Sequence, residues 1–267
     1  MTIQEYHADL THITKSKLDT ISKAPAKFKH QYLDGNPRTE TKAMFEGSAA
    51  HRYVFEQQTM GEHYFVFNDQ EIVAEIGGAK PRLTSRYQQW KSEQFERNAG
   101  KLELPSDLLE MIQGINQAAQ NNPDYMKLIE PGYKAEQILY GEIDGVPVKC
   151  RLDCHVELAH TVIDLKSTVD AEERAFGWSC IKYRYHVQDA FYSEIYRQNF
   201  GVTPRFIFFA VEKTAPYLNE LYELSEYDRE RGTELYRADL ATYKRCMDSG
   251  IWHGLTESTE VKPLILP

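Results

Sequence analysis

The sequence predicts an α/β fold in which a mixed central sheet is flanked by helices. Three observations support this prediction. Two apolar, β-branched runs are neighbours within residues 148–168, a near-continuous apolar run follows at 204–211, and residues 185–199 between them have helical periodicity. Strands and a helix in this order are typical of α/β proteins. An apolar run without alternation fits a strand in the interior of a sheet that is covered on both faces.

Length and composition favour one elaborated domain with a substantial core. The chain has 267 residues, of which 42% are hydrophobic. Its formal net charge of −9 is unfavourable for a nucleic-acid-binding protein, although a basic groove can coexist with an acidic exterior. The sequence shows no signal peptide and no apolar run near the ~20 residues of a membrane span. We therefore expect a cytoplasmic protein without membrane contact.

The cysteine spacing argues against a structural metal cluster. The four cysteines are Cys150, Cys154, Cys180 and Cys246. They form no C-x-x-C motif, and strand alternation puts Cys150, Leu152 and Cys154 together on an inward face, where small hydrophobic side chains belong. Structural zinc and an iron–sulfur cluster are therefore not expected.

The N-terminal region, residues 1–63, is predicted to be helical. Thr14 or Ser16 can cap a helix that extends to about Lys23, and Pro25 suits the first turn of a second helix that extends to Tyr32.

A third helix is predicted over residues 41–56, after a turn at 34–37. It carries His51, four residues after Gly47. A single helical histidine is more often a packed or surface residue than a ligand. The small residues at 47–50, however, indicate close packing against another element.

Residues 69–131 are predicted to form a mostly helical insertion, after a short strand at 64–67. Helices are expected at 84–98, 106–120 and 123–129. Its basic side chains suit either the flank of a substrate channel or a subunit contact, and the sequence does not separate these two alternatives. They are Arg82, Arg86, Lys91, Arg97 and Lys101.

The predicted catalytic sheet and helix occupy residues 132–224. The first strand begins at about Ala135, and Asp144-Gly145 is a hairpin turn signal. A short helix or loop is expected at 171–181 and a further strand at 217–224. Residues 225–267 then complete the chain with a charged helix and an irregular tail.

Acidic side chains occur at comparable positions on two predicted strands. Alternation places Asp153 on the polar face of the first strand, and it places Asp164 and Lys166 together on one face of the second. The latter is a D-x-K arrangement. Glu136, at the start of the preceding strand, is a candidate third carboxylate or else an exposed residue at a strand end.

Carboxylates that converge beside a lysine suit phosphodiester hydrolysis. Two carboxylates within ~4 Å repel each other by roughly 4 kcal/mol at an effective dielectric near 20, so one takes up a proton unless a cation is bound. Mg²⁺ accepts carboxylate oxygens and polarises a phosphate, and a nearby lysine can orient or deprotonate water. The alternative is a hairpin whose exposed face carries these charges in solvent.

The order of these motifs resembles the PD-(D/E)XK nuclease superfamily, and within it the RecB-like and exonuclease VIII (RecE) branch. The motifs are a G-x-x-x-H helix, a strand with a glutamate, an aspartate on the next strand, D-x-K, and a helix carrying Gln188 and Tyr192. The stretches YRYHVQDAFYSEIY, IDLKST and ITKSKLDTISKAPAKF resemble RecE-type phage and prophage exonucleases in particular. The similarity extends over nearly the whole chain.

The resemblance implies a metal centre. His51, Asp153 and Asp164 would lie around Mg²⁺, with Glu136 as an additional acidic member and the backbone carbonyl of Leu165 as a further ligand. Mn²⁺ is expected to substitute for Mg²⁺.

The resemblance also implies roles for the neighbouring polar side chains. Lys166 matches the catalytic lysine of the superfamily, and Gln188 with Tyr192 matches the Q-x-x-x-Y helix that organises the site and contacts DNA. Further expected DNA contacts are Lys15, Lys17 and Arg184. For the two lysines, a solvated helix face is the alternative.

The function implied by the resemblance is 5′→3′ exonucleolytic digestion of double-stranded DNA. The product would be a 3′ single strand for an annealing protein of the RecT type. Relatives work as rings, and for this chain a tetramer is favoured over a trimer. Two alternatives remain on the same fold: a DNA endonuclease, and a non-catalytic DNA-binding or assembly module. The latter would be expected to lack Asp164 or Lys166, and both are present.

Overall fold

A computed structural model describes residues 3–36, 38–256 and 261 of the chain. Pro37 of the predicted turn lies outside the described residues, as do 257–260 and 262–267 of the predicted tail. In the described part, no helix is both long enough and apolar enough to cross a membrane.

The N-terminal region is helical, as predicted. Its helices are α1 (Ile3–Ala8), α2 (Lys15–Lys23), α3 (Pro25–Phe28), which continues as a π-helical turn (Lys29–Leu33), α4 (Lys42–Phe55) and α5 (Met60–His63), with a 3₁₀ turn (Gln57–Thr59) before α5. The side chains of Thr14 and Thr41 cap α2 and α4 by accepting backbone N–H groups of the first turns. The sequence did not indicate α1 or α5.

The next part of the chain contains three predicted helices and a small sheet. Its elements are β1 (Tyr64–Val66), α6 (Gln70–Ile76), a 3₁₀ turn (Pro81–Leu83), α7 (Ser85–Arg97), β2 (Leu102–Leu104), α8 (Ser106–Asn121) and α9 (Pro123–Ile129). The predictions for α7, α8 and α9 are confirmed. Strand β2 pairs with β1 in parallel, and it was not predicted because a three-residue strand has almost no alternation.

The central sheet has five strands, and their order across the sheet, β3-β4-β5-β6-β7, is the same as their order along the chain. The remaining elements are β3 (Lys134–Ile143), β4 (Val146–Val156), a 3₁₀ turn (Glu157–Ala159), β5 (Thr161–Thr168), α10 (Glu173–Lys182), α11 (Tyr185–Phe200), β6 (Arg205–Glu212), β7 (Asn219–Tyr222) and α12 (Glu226–Ser249). Strands β5 and β6 are parallel and the other neighbours are antiparallel. The predicted mixed α/β sheet is confirmed.

Helices cover both faces of this sheet, so the molecule has two hydrophobic cores. The α11 core lies on one face and includes Leu18 and Ile21 of α2, Val187, Phe191 and Ile195 of α11, and Tyr236 and Leu240 of α12. The α8 core lies on the other face and includes Ala49 and Ala50 of α4, Leu108, Ile112 and Ile115 of α8, and Tyr125 of α9. The interior strand β6 contributes to both cores, which explains its continuous apolar sequence.

Helices α11 and α12 approach each other closely at a glycine. A Cβ atom at Gly232 of α12 would lie 2.1 Å from the carbonyl oxygen of His186. Only glycine therefore fits at this crossing, which holds α11 between the sheet and α12.

Strand β4 has side chains in both cores because its alternation breaks near Asp153. Cys150 and Leu152 lie in the α11 core, whereas Cys154 lies in the α8 core. The prediction that all three share one face is therefore wrong. The four cysteines are free and buried, as expected for small hydrophobic residues.

Strands β4 and β5 separate after three paired residues on each strand. Their pairing ends at Cys154 and Ile163. Beyond that point, the free edge of β4 is covered by the segment before α2, since Ile13 exchanges backbone hydrogen bonds with Pro147 and Lys149. A wedge is left between the two strands, and both predicted acidic motifs point into it.

Candidate active site

Asp153 fills the opening of the wedge. Its carboxylate Oδ2 accepts a hydrogen bond from the backbone N–H of Leu165 at 3.1 Å. That N–H would otherwise be unsatisfied, because the ladder between β4 and β5 has ended. The sequence therefore uses an acidic side chain in place of a strand partner, and this fixes an ionised oxygen next to the D-x-K strand.

His51 lies on α4, which packs on one face of the sheet, and its side chain contacts Asp153. The buried residues Ala49 and Ala50 press α4 against β5, and His51 Nδ1 lies 3.1 Å from Asp153 Oδ2. Burial alone would lower the pKa of His51, but the Asp153 carboxylate raises it. The predicted close packing before His51 comes from the two alanines, since a Cβ at Gly47 would meet nothing within 4 Å.

Glu136 joins the pair from β3 through an unusual backbone conformation. Its φ is +53°, in the left-handed region that non-glycine residues rarely adopt. Arg151 Nε lies 2.7 Å from its carboxylate. One potential ligand atom from each of His51, Glu136 and Asp153 lies within 4.8 Å of the others. Burial, reinforced by Asp153, raises the pKa of Glu136 to about 7.

Asp164 lies beside this cluster and faces α11. Gln188 donates to Asp164 Oδ1 through its amide nitrogen, and Lys166 forms an ion pair with Oδ2. Oδ2 is buried and accepts no hydrogen bond of ordinary geometry. Burial, with the Asp153 charge, raises the pKa of Asp164 to about 6 against the opposing effect of Lys166.

Lys166 is held by both polar and aromatic contacts. Its ammonium donates to Gln188 Oε1 at 3.1 Å and lies 4.6 Å from the ring centroid of Tyr185. Burial alone would lower the pKa of Lys166, but Asp164 raises it. The side chain is therefore a cation at neutral pH, and its position is fixed by three neighbours.

Tyr192 completes the predicted Gln-Tyr pair on α11. Its ring is partly buried and packs edge-on against Phe206. Burial, together with negative groups that include Asp153 and Asp164, raises its pKa well above the ordinary value. Gln188 and Tyr192 thus lie on the face of α11 that is directed at the two aspartates.

The backbone of Leu165 is oriented as the predicted ligand role requires. Within an extended strand the N–H and C=O of one residue point to the same edge. Because the Leu165 N–H points to Asp153, its carbonyl is directed to the same side of β5. The role of this carbonyl as a ligand remains a prediction.

The three predicted basic DNA contacts, Lys15, Lys17 and Arg184, all bond to other groups of the protein. Lys17 is 3% exposed, and its ammonium donates to the carbonyls of Asp9 and His12. This removes Lys17 from the expected phosphate contacts. Lys15 and Arg184 both form ion pairs with Asp19. For Lys15 and Arg184, a contact with DNA phosphates remains a prediction.

Two residues of the site were not singled out from the sequence. Arg151 supports Glu136, and Tyr185 lies against Lys166. Because Arg151 is two residues before Asp153 on the same strand, alternation puts both side chains on one face, and this signal is present in the sequence. Nothing in the local sequence distinguishes Tyr185 from the other tyrosines of its segment, because its role depends on the position of β5.

The donor set fits a divalent cation. An imidazole nitrogen and two carboxylates converge, and an adjacent buried oxygen, Asp164 Oδ2, has an ion pair but no ordinary hydrogen bond. Burial, reinforced by the charge of Asp153, raises the pKa values of Glu136 and Asp164, so holding these carboxylates ionised together costs free energy unless a cation is bound. Hard cations such as Mg²⁺ take oxygen ligands of this kind.

Comparison with known proteins identifies the family and the fold of the chain. A family model described as a PDDEXK-like domain of unknown function (DUF3799) matches residues 14–262. The chain belongs to this family. The crystal structure of a "putative exonuclease" from Eubacterium rectale has a TM-score of 0.66, with 17% sequence identity, and covers 99% of this chain and 96% of that chain. No curated protein matches the sequence.

As a PDDEXK-like domain, the chain has the superfamily fold that the motif order indicated. The likeness to the Eubacterium rectale structure extends over nearly all of both chains, and at 17% identity it shows a common fold. The narrower resemblance to RecE-type exonucleases remains a prediction from the sequence.

Proposed function

We propose that this PDDEXK-like domain is a metal-dependent nuclease that hydrolyses phosphodiester bonds of DNA. The observation that carries the proposal is the meeting of His51, Glu136 and Asp153 within 4.8 Å, next to the Asp164–Lys166 pair. Five polar side chains from four elements converge on one wedge in the sheet. The family and the name of the Eubacterium rectale neighbour support the same chemistry.

The metal would be held by residues that already face the wedge. His51, Glu136 and Asp153 supply three donors, and Asp164 Oδ2 and the Leu165 carbonyl are the adjacent candidates. When bound, Mg²⁺ would polarise the scissile phosphate and make a water molecule a stronger nucleophile. Mn²⁺ offers similar preferences for oxygen donors.

The chain's own residues then set the geometry of the reaction. Lys166 is a cation that can hold the attacking water and stabilise charge on the phosphate. Gln188 binds both Lys166 and Asp164, so it fixes the distance between these groups. Tyr192, one helical turn further along α11, packs edge-on against Phe206 and so supports this face of the helix.

The finer proposal is a 5′→3′ exonuclease that acts on double-stranded DNA ends. It rests on the sequence resemblance to RecE-type enzymes, and the neighbour's name supports exonuclease chemistry. The 3′ single strand would pass to a RecT-type annealing protein. A homo-oligomeric ring, tetramer before trimer, would reconcile a net charge of −9 with DNA binding, since basic residues need only face the channel.

One experiment tests each level of this proposal. Linear duplexes labelled at the 5′ or the 3′ end, and covalently closed circles, are incubated with the native chain or with Asp164→Ala, in Mg²⁺ or EDTA. We expect the 5′ label to be released from linear DNA in Mg²⁺ only, and closed circles to remain intact.

Each result addresses a different part. Full activity in Asp164→Ala would contradict the site, and activity in EDTA would contradict the metal. Cleavage of closed circles would identify an endonuclease. Release of the 3′ label first would reverse the polarity while leaving the nuclease assignment in place.

A further inference from the structure

A series of stacked aromatic rings leads from the core to the surface beside Lys166. Phe208 stacks with Tyr185 at a centroid distance of 5.6 Å, and Tyr185 stacks with Tyr183 at 5.7 Å. Phe208 is fully buried, Tyr185 is partly buried, and Tyr183 is 50% exposed. The series therefore starts under the proposed catalytic lysine and ends in a tyrosine that faces solvent.

Tyr183 and Tyr185 line a cavity of about 320 Å³. We call it the Tyr183 cavity; its polar lining residues are Ser167, Thr168, Asp170, Ser179, Lys182 and Lys213. Because the ring of Tyr185 lies against Lys166 and also lines the cavity, the cavity is a direct extension of the proposed active site.

The charges around the Tyr183 cavity favour an anionic, hydrogen-bonding ligand. Lys182 has no carboxylate within ion-pair distance among the described residues, and its ammonium lies 5.2 Å from the Tyr183 ring centroid. The acidic lining residue, Asp170, already accepts a hydrogen bond from the Glu172 N–H. Lys213 is paired with Glu46. Lys182 is therefore the cation that remains for a ligand.

The backbone that carries Tyr183 is anchored on both sides. Its carbonyl accepts a hydrogen bond from Lys15 Nζ at 2.6 Å. The next residue, Arg184, has a left-handed conformation with φ of +57° and is held by ion pairs to Asp19 and Asp239. Two of the basic residues that the sequence suggested as DNA contacts thus hold this corner in place. An exposed ring on such a corner is positioned before any ligand arrives.

We infer that the Tyr183 cavity binds one unpaired nucleotide of the DNA substrate. The base would stack on Tyr183 and so extend the series of stacked rings by one. Lys182 would contact a phosphate. Every base has a π face, so stacking on tyrosine tolerates any sequence. The inference rests on the proposed function and deepens it, because it names the part of the substrate next to the scissile bond.

Binding to single strands tests this inference without requiring cleavage. Fluorescence anisotropy measures the Kd of a labelled oligodeoxynucleotide of about 16 nucleotides, in Ca²⁺, for the native chain and for Tyr183→Ala, Tyr183→Phe and Lys182→Ala. A matched oligonucleotide of abasic sites is the second probe. Tyr227→Ala is the control, because Tyr227 is also strongly exposed but does not line the cavity.

The expected pattern separates stacking from charge. Tyr183→Ala should weaken binding of the normal oligonucleotide by about 5- to 100-fold and leave the abasic one within about twofold. Tyr183→Phe and Tyr227→Ala should match the native chain. Lys182→Ala should weaken both probes alike and reduce the slope of log K against log salt by about 0.7.

Two results would overturn the inference. One is a Tyr183→Ala variant that binds the normal oligonucleotide like the native chain. The other is equal weakening for both probes, which would make the tyrosine structural. If Tyr183→Ala does not fold, equal affinity of the native chain for both probes overturns it.

Failure of the proposed function gives a different result. A native chain that shows the base-dependent binding but cuts no DNA in Mg²⁺ contradicts the nuclease proposal alone. A native chain that cuts DNA while Tyr183→Ala binds normally contradicts the nucleotide site alone.

Discussion

Two buried polar residues, Asp153 and His155, lie two positions apart on β4 and have opposite surroundings. His155 is 0% exposed, with Nδ1 2.5 Å from Gln137 Oε1 and Nε2 2.8 Å from the hydroxyl of Tyr196. Each ring nitrogen thus has one neutral partner. Asp153 is 7% exposed and interacts with the ionisable side chains of His51, Lys166 and Arg151.

The difference follows from the pairing of the strand. His155 lies where β4 pairs with both β3 and β5, so its side chain only has to be satisfied within a closed structure. Asp153 lies where β5 has left the ladder. There, burial raises the pKa values of Glu136 and Asp164, so the fold maintains charges that destabilise it. Such an arrangement indicates a ligand site, whereas the His155 network indicates structure.

Of the substitutions that compare Asp153 with His155, Asp153→Asn is expected to have the largest effect on nuclease activity. The substitution keeps the side-chain volume but removes a charged donor from the proposed metal site, so nuclease activity should fall at least about 10³-fold. The rise in Tm on adding Mg²⁺ or Mn²⁺, measured by differential scanning fluorimetry, should disappear. His155→Gln is the matched control and should keep activity and the cation response. Equal losses in both variants would refute the distinction between the positions.

Lys166→Met should separate catalysis from metal binding. Because Lys166 contributes charge and not a metal ligand, turnover should fall about 10²- to 10⁴-fold while the cation-induced rise in Tm remains. Single-turnover kinetics and the thermal shift measure the two effects on the same sample. Loss of the cation response would instead make Lys166 a structural partner of Asp164.

Glu136→Gly should lower the affinity for metal and increase the stability of the metal-free chain. The native residue has a left-handed backbone and a buried carboxylate, so glycine should raise the free energy of unfolding by about 1 kcal/mol in EDTA. Metal affinity should fall, because a carboxylate donor is removed. Urea denaturation and cation titration provide the two measurements. A less stable variant would show that the Arg151 ion pair outweighs the strain.

The smallest expected effect is a change in the pH dependence of stability when His155 is replaced. Burial lowers the pKa of His155 below its ordinary value of 6.5. Below pH 6.5 the unfolded chain therefore binds more protons than the folded chain at this residue, so its contribution to stability is complete above that pH and decreases as the pH falls. In His155→Gln, the slope of unfolding free energy against pH should be flatter by up to about 1.4 kcal/mol per pH unit. Identical slopes would mean that the pKa of His155 is the same in the folded and the unfolded chain.

Most elements of the fold were predictable because the local signals agreed with the tertiary structure. The cap at Thr14, the Asp144-Gly145 turn and the apolar run of β6 each identify an element by themselves. The missed elements α1, α5, α6 and β2 have only three to seven residues. Segments this short show less than two periods of any pattern, so their structure depends on packing.

The site residues were predictable as chemical types but not always as partners. The D-x-K motif correctly placed Asp164 and Lys166 on one face, and they form an ion pair. The same reasoning treated Lys15 and Lys17 as surface cations, whereas α2 buries or pairs both. A lysine in an amphipathic helix can face either side of a tertiary contact, and the neighbouring element decides which.

By itself the sequence determined the α/β class, the order of its main elements and the presence of histidine, carboxylates and lysine for a metal-dependent hydrolysis site. These properties are carried by periodicity and side-chain chemistry, which are local. Only the tertiary structure decided that β5 leaves β4 beside Asp153, that Glu136 turns inward, and that Lys15 and Arg184 hold the corner of Tyr183. Those outcomes depend on which distant segments compete for the same backbone edge or the same charge, and a pattern along one segment contains no record of that competition.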